Sequence, residues 1–286
     1  MPSVATPSVR FARVRAIAVG ASALALANAA PAQVSAGVNL GGSTYLGDLA
    51  PSSPLDHAAG LGASFGAFAR FPLAAGLRLR TFVQRSHVRG HDAERPNTRE
   101  RNLSFASAIT EAGVALEAGW TWAGIRPYGF AGVSAYRFNP TTEYRGATVE
   151  LQSLGTEGQG SPGYDAPYAL TRVAVPFGSG LEIAVGERLT LGVEVSARAT
   201  FFDHLDDVSG AYAPDGALDG PEAVLRRALA DRRGEGTGEP LPPNAGTPRG
   251  DPDDNDWYAL AVVTLALTLP TPEREERVEE PPCYRF

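Results

Sequence analysis

The sequence predicts an all-β protein, an antiparallel transmembrane β-barrel of about eight strands with a signal peptide and long extracellular loops. Three observations predict it. The chain opens like an exported protein, eight later segments alternate apolar residues with polar or small ones, and the connections between them alternate between short and long.

The export signal comes first. Arg10, Arg13 and Arg15 precede an apolar stretch over residues 16–26, and Ala30, Pro31 and Ala32 supply small residues at the cleavage spacing. A positive start, an apolar middle too short for a bilayer and an Ala-rich end make residues 1–32 a secretory signal peptide, with the mature chain starting near Gln33. Its removal takes three of the 25 basic residues and none of the 32 acidic ones, leaving a formal charge of −10. All 25 basic residues are arginine, which we attribute to nucleotide composition. No basic patch for nucleic acid stands out, so nucleic acid is not an expected partner. Cys283 is the single cysteine, which excludes an internal disulfide and a multi-cysteine metal site; no cofactor is implied.

After residue 33 no run of ~18 apolar residues occurs, so the mature chain holds no spanning helix and any crossing is made by strands. A transmembrane strand needs only ~9 to 11 residues with one apolar face, because closing the barrel satisfies every backbone N–H and C=O inside lipid.

The first strand, residues 33–45, puts Val34, Ala36, Val38 and Leu40 on one face and Ser35, Gly37, Asn39 and Gly41 on the other. The second, 59–71, sets Leu61, Ala63, Phe65, Ala67, Ala69 and Phe71 against Gly62, Ser64, Gly66, Phe68 and Arg70. In the third, 77–88, Leu77, Leu79, Thr81 and Val83 alternate with Arg78, Arg80, Phe82 and Gln84. The fourth, 103–122, carries Val114, Leu116, Ala118, Trp120 and Trp122 opposite a face that includes Glu111 and Glu117. The fifth, 127–138, is less regular, with apolar and aromatic residues on both faces. The sixth, 168–185, alternates Val173, Val175, Phe177, Leu181, Ile183 and Val185 with small residues and Glu182, and Pro176 argues against an interior position for it. The seventh, 189–201, has the clearest period of two, from Leu189 to Phe201 against Thr190, Glu194 and Arg198. The eighth, 256–269, faces lipid with Trp257, Ala259, Ala261, Val263, Leu265, Leu267 and Leu269.

The connections at 72–76, 123–126 and 186–188 are short, and those at 46–58, 89–102, 139–167 and 203–255 are long. Outer-membrane barrels have that asymmetry, with short periplasmic turns and long outer loops. An even strand count then puts both termini in the periplasm. A soluble sandwich or a lipocalin-like barrel also gives short alternating strands. The signal peptide, and aromatic residues at strand ends (Phe71, Trp120, Trp122, Tyr128, Phe201, Trp257), favour the membrane. The domains expected are a signal peptide (1–32), a barrel (33–269) and a periplasmic tail (270–286).

Several segments carry a family resemblance. They are Ser-Thr-Tyr-Leu-Gly-Asp-Leu at 43–49, Arg-Asn-Leu-Ser-Phe at 101–105, the stretch from Pro127 and Tyr128 to Asn139 and Pro140, Leu-Gln-Ser-Leu-Gly-Thr-Glu-Gly-Gln-Gly at 151–160, Leu-Asp-Asp-Val-Ser-Gly at 205–210, and Asp256-Trp257-Tyr258. In their order and spacing they resemble a family of small outer-membrane barrels widespread in Bacteroidota, catalogued as a domain of unknown function and including barrels similar to PorG of type IX secretion. The last long loop departs from that pattern, lengthened and Pro-rich at 240–256. The resemblance implies a barrel serving protein export or gliding as a scaffold. It brings no catalytic residues.

Candidate chemistry is concentrated in three places. If the polar faces meet in the lumen, Arg78, Arg80 and Arg198 pair with Glu111, Glu117, Glu182 and Glu194 as a plug of ion pairs, since an eight-stranded barrel is only wide enough for side chains to fill. A narrow channel is the alternative. His204 with Asp206, Asp207 and Ser209, next to Gly210, invites a comparison with lipid-modifying barrels, although adjacency in a loop does not establish convergence and the motif reads first as a turn. Asp251, Asp253, Asp254 and Asp256 lack the glycine and terminal glutamate of a calcium loop. Residues 221–233 read as a short helix with an apolar stripe of Val224, Leu225, Ala228 and Leu229, and 155–163 as a flexible glycine-rich loop. The sequence therefore predicts a non-enzymatic barrel that anchors or assembles an envelope machine such as type IX secretion or gliding. Its expected partners are membrane lipid and, through the acidic tail, periplasmic secretion or gliding proteins; a lipid-modifying enzyme and a narrow channel are the alternatives.

Overall fold

The computed structural model describes residues 33–95, 97–235 and 242–270; the expected signal peptide and all but the first residue of the expected tail lie outside them. In chain order the main elements are β1 (Ser35–Leu46), a short helix α1 (Pro54–Ala59), β2 (Gly62–Ala74), β3 (Leu77–His91), β4 (Ser104–Gly119), β5 (Ile125–Arg137), β6 (Pro140–Tyr144), β7 (Ala147–Glu150), β8 (Thr171–Val185), β9 (Leu189–Ala199), a helix α2 (Ala223–Ala230) and β10 (Trp257–Thr268). Eight of these strands, all but β6 and β7, pair antiparallel in a ring that closes through β3 with β4 and β1 with β10. Closure leaves the ring without an unpaired edge.

The register gives the shape of the ring. Stepping between paired residues from Pro127 through Leu181, Val193, Val263, Leu40, Phe65, Arg85 and Thr110 returns to β5 at Arg137, ten residues farther along. A stagger of this size for eight strands goes with strands tilted by roughly 35–45° and an interior that side chains fill. The two faces divide as alternation requires. Val38, Leu40, Val83, Leu116, Val133, Val193, Val195 and Val263 point outward and are 51–66 % exposed, while Phe68, Phe82, Phe130 and Tyr136 point into the lumen. An apolar surface facing out and a charged interior are the arrangement lipid demands and water forbids.

Several expectations are corrected. β4 ends at Gly119, so Trp120 and Trp122 sit on the turn beyond it, where they are 67 % and 74 % exposed. Tyr128 faces the lumen at 3 % exposure, not the interface. β3 runs on to His91, beyond the expected end, and β8 begins only at Thr171. β8 is an interior strand despite Pro176: the ladder to β5 lapses between the pairs Ala131–Phe177 and Ser134–Ala174 and resumes in the same register, so the missing N–H costs one local gap. A hairpin, β6 and β7, occupies part of the supposed loop 139–167 and joins the outer end of β4 through Thr141 and Pro140. Helix α2 starts two residues after Pro221, behind Glu222 in the left-handed region (φ 59°), and it buries Leu229 and Ala230 while Val224 is 82 % exposed.

The short turns all lie at one end of the barrel, and there Leu269 N–H donates to the carbonyl of Val34 (2.8 Å), bringing the two ends of the barrel chain together. The long connections lie at the other end.

Candidate functional site

Two regions hold the buried polar chemistry, the lumen and the mouth at the long-loop end. In the lumen nearest the short turns, three arginines share two glutamates. Arg70 Nε lies 2.9 Å from Glu117 and its guanidinium also meets Glu182; Arg126 reaches Glu117 at 2.7 Å and Glu182 at 3.3 Å; Arg78 reaches them at 3.4 and 3.3 Å. Farther in, Arg80 pairs with Glu194, which also accepts from the Tyr128 hydroxyl at 2.8 Å. Arg198 Nε donates to Glu111 at 3.1 Å. The rings of Phe68 and Phe130 lie under these cations, with the Arg70 and Arg80 guanidiniums 4.4 and 4.7 Å from the Phe68 centroid. Asn39, Gln84, Ser64 and Ser86 form a neutral chain of hydrogen bonds of 2.8–3.0 Å beside them.

All four glutamates are at most 4 % exposed, so water does not reach the middle of the barrel. Alternation along the strands identifies Arg78, Arg80, Arg198 and the four glutamates. Alternation also puts Arg70 on the polar face of β2, although the expected ion pairs left it out, and it misses Arg126, which the sequence places in a turn but which opens β5 with its side chain inward. Both missing cations come from short-turn ends of strands, where the boundary is hardest to read.

The mouth is filled by a cap built from the loops. Leu49, Leu103, Leu151, Leu154, Leu205, Val208 and Leu229 are at most 4 % exposed and join the upper lumen residues Tyr45, Phe105, Tyr136 and Tyr258 in one core. Apolar burial of this kind lets loops hold a fixed shape. Within it sit carboxylates, nearly all with partners. Asp207 accepts from Thr156 Oγ1 at 2.6 Å and from the Tyr168 hydroxyl at 2.7 Å. Glu157 accepts from the N–H groups of Ser209 and Gly210 (both 3.0 Å) and from Arg249 Nη1 at 2.9 Å. Arg249 also donates to the carbonyls of Ala230 (3.1 Å) and Asp207 (2.5 Å), tying α2 to the 205–210 turn. Asp92 is held by Arg101 and the Leu103 N–H (2.9 Å), and Asp48 accepts from the Asp251 N–H at 2.9 Å.

Tyr45 stands between two carboxyl groups. Its hydroxyl bonds Asp206 Oδ2 at 2.7 Å and also Asp256, while Asp206 accepts from the Val208 N–H (2.8 Å) and Asp256 from the Leu205 N–H (2.7 Å). One hydroxyl has one proton to give, so a proton on one of the two acids completes both contacts. Burial agrees, pushing both Asp206 and Asp256 well above the usual carboxylate range. Glu157 goes the other way: burial opposes ionisation, but His204, Arg249 and the two N–H groups hold it down at about 2. Neither oxygen of Asp203 finds a well-aligned hydrogen-bond donor among the described residues. Burial, reinforced by Asp48 and Glu157, raises that carboxyl to about 7 against the weaker pull of Ser209 and His204.

A family described as a domain of unknown function, DUF6089, matches residues 17–215, more than half of the chain. The chain belongs to the DUF6089 family. Its likenesses among solved structures include Neisserial surface protein A (10 % identity, TM-score 0.41, covering 82 % of this chain and 97 % of that one) and a major outer membrane protein from Thermus thermophilus (9 %, 0.38, 84 % and 100 %). Another is Ail of Yersinia pestis in complex with a heparin analogue (6 %, 0.37, 83 % and 97 %). No curated protein matches significantly.

In this DUF6089 chain the segments that carried the resemblance meet in the cap. Tyr45, Asp48 and Leu49 come from the first, Arg101 and Leu103 from the second, Leu151, Leu154, Thr156 and Glu157 from the fourth, Asp206 to Gly210 from the fifth, and Asp256 and Tyr258 from the last. The first part of the glycine-rich stretch is thus packed, with Gly155 at φ 62° and Thr156 fully buried, while Gly160, Pro162 and Gly163 are exposed.

The hydrolase arrangement does not form. Asp206 and Asp207 turn into the cap toward Tyr45, Thr156 and Tyr168, while His204 Nε2 lies 3.6 Å from Glu157. His204 and Ser209 do line one open cavity of about 570 Å³ with Tyr164, Tyr168 and Arg172. Of the four aspartates at 251–256, Asp256 is buried in the cap and the other three are exposed, so they do not converge.

Proposed function

We propose that this chain is a bacterial outer-membrane protein with both ends of the barrel in the periplasm, and that its task is to hold a rigid extracellular cap as an anchoring or assembly point for an envelope machine. The reading that the machine resembles type IX secretion or gliding rests on the likeness to PorG-like barrels of Bacteroidota. The observation that carries the proposal is the cap itself: the loops bury apolar side chains and match nearly every buried carboxylate with a donor, a costly construction for loops that merely join strands. The filled lumen speaks against a channel. The separation of His204 from Asp206 and Asp207 speaks against the enzyme.

Crosslinking from native membranes tests it, with heat-modifiable gel mobility as the check that the barrel is intact. The full chain should recover secretion or motility proteins. Truncation after Leu269 should lose periplasmic partners if the tail docks them, and disruption of the cap through Glu157→Gln should lose extracellular ones. Recovery of no specific protein by the intact chain would overturn the anchor reading.

A further inference from the structure

The outer wall of the barrel carries an unexpected asymmetry of charge. On the eight strands, every charged or ionisable side chain that alternation directs outward is basic, and all of them lie on β3 or β5: Arg85, His87, Arg89 and His91 on the first, Arg137 on the second. The chain as a whole is acidic, with 32 acidic residues to 25 basic. A wall cluster of one sign in a protein of the other sign calls for a partner outside the chain.

Register places these cations together. Arg85 pairs with Thr110 of β4, which pairs in turn with Arg137, and His87 and Arg89 face Ala108 and Ala106. Strands lie ~4.8 Å apart, so the Arg85 and Arg137 backbones are roughly 10 Å apart across β4. The outward residues of β4 between them, Ala108, Thr110 and Ala112, are small, and the Arg85 guanidinium reaches over this strip to the Thr110 hydroxyl. Below the strip, toward the short turns, Val83, Val114 and Val133 continue the apolar belt, 43–62 % exposed. None of Arg85, Arg89 and Arg137 meets an acid among the described residues: Arg85 donates to Thr110, Arg89 to the carbonyls of Gly60 (3.2 Å) and Ala59 (3.5 Å). Farther out on this side the β6–β7 hairpin carries Glu143, which accepts from Thr148, and the exposed Glu150, while Asp56 on α1 accepts from Ser53 (2.6 Å); none of the three pairs with Arg85, Arg89 or Arg137.

We propose that this strip of β4 is a binding site for a net-anionic, phosphate-bearing lipid of the outer leaflet, its headgroup held by Arg85 and Arg137 with Arg89 adding positive charge from the α1 side, and an acyl chain lying down β4 over Val114 and Leu116. Arginine suits phosphate through its planar set of N–H donors, and the belt beneath suits only hydrocarbon. The inference rests on the membrane orientation proposed above.

The test uses the full mature chain folded into phosphatidylcholine vesicles and into phosphatidylcholine vesicles containing phosphatidylglycerol, with co-purifying lipid read by native mass spectrometry. The wild type should retain phosphatidylglycerol over phosphatidylcholine by roughly tenfold or more, in a salt-sensitive way. The variant R85Q/R89Q/R137Q should lose that preference. A variant R188Q, altered on an exposed short turn at the other end of the barrel, should keep it and controls for charge loss away from the site. Equal retention of both lipids by the wild type, or an unchanged preference in the triple variant, overturns the site. Heat-modifiable mobility in phosphatidylcholine alone separates the two claims: a chain that inserts normally but shows no preference loses only this site, whereas a chain that does not insert at all loses the membrane reading together with it.

Discussion

Removing the guanidinium of Arg249 would leave two buried carboxylates, Glu157 at 2.9 Å and Asp207 at 3.9 Å, without their counter-charge, and would release the carbonyl of Ala230 at the start of the long return to β10. Stranding a buried charge in this way typically costs ~3 to 5 kcal/mol, so Arg249→Leu should open the cap to limited proteolysis while the barrel stays heat-modifiable. The titrating groups give a second prediction, with opposite signs. Asp203 is raised from 3.8 to about 7, so the folded cap holds its proton more tightly than the unfolded chain; that stabilisation is complete below about pH 4 and is lost as pH rises through 7. Glu157 is lowered from 4.5 to about 2, so its contribution is present above pH 4.5 and is lost only as pH falls through 2. Protease resistance of the cap should therefore fall between pH 5 and pH 8, with Asp206 and Asp256 acting in the same direction, and Asp203→Asn should reduce that fall; a wild-type cap equally resistant at both values would contradict the assignment. At this scale the sequence was half legible. Alternation exposes Glu111, Glu117, Glu182 and Glu194 because each sits in a strand of period two. Nothing local distinguishes Arg249 from the other arginines, since its partners Glu157 and Asp207 lie 92 and 42 residues away.

At the scale of elements, the lumen is packed by matching large side chains to glycines on the next strand. A Cβ on Gly180 would come within 2.5 Å of the Tyr128 ring, and one on Gly37 within 2.5 Å of Phe68. Gly180→Val should push Tyr128 off Glu194 and lower barrel stability by about 1–3 kcal/mol, read as a lower midpoint of the heat-modifiable transition, with the circular-dichroism signature of the strands retained below it. An unchanged midpoint would mean that the lumen is looser than the contacts indicate. Most of the eight barrel strands were visible in the sequence because an apolar outer face and a polar inner one impose a period of two; the fifth is less regular because aromatic residues such as Tyr128, Phe130 and Tyr136 fill its inner face. The β6–β7 hairpin was not visible, although Arg145 and Gly146, at φ 51° and 78°, form the two-residue turn with both central residues left-handed that suits a tight hairpin. Its strands are five and four residues long, too short for alternation to stand out. Pro176 misled for a physical reason too: a proline forfeits one N–H, and a strand held on both sides by β5 and β9 tolerates a single lapse in its ladder.

For the whole molecule, a ring of eight strands with a ten-residue stagger encloses little more than its own side chains, and here five arginines, four glutamates and several aromatic rings fill it. Purified protein in planar bilayers should give no steady ion conductance, and a stable open channel would overturn the plugged-lumen account. The cap extends the closed structure beyond the strands, and it was the least legible part, because segments at 43–49, 101–105, 151–160 and 205–210 become neighbours only once the barrel has closed. Family resemblance marked those segments without explaining them; burial of Leu49, Leu154, Leu205 and Val208 around paired carboxylates does. The central claim is that these loops form one rigid body with the barrel. Amide hydrogen exchange of the membrane-inserted protein tests it most directly, at Thr156, Leu205, Val208 and Ser209. The account predicts protection at these amides comparable to that of the barrel strands, lost together in Arg249→Leu; exchange there as fast as in an unstructured peptide would contradict it.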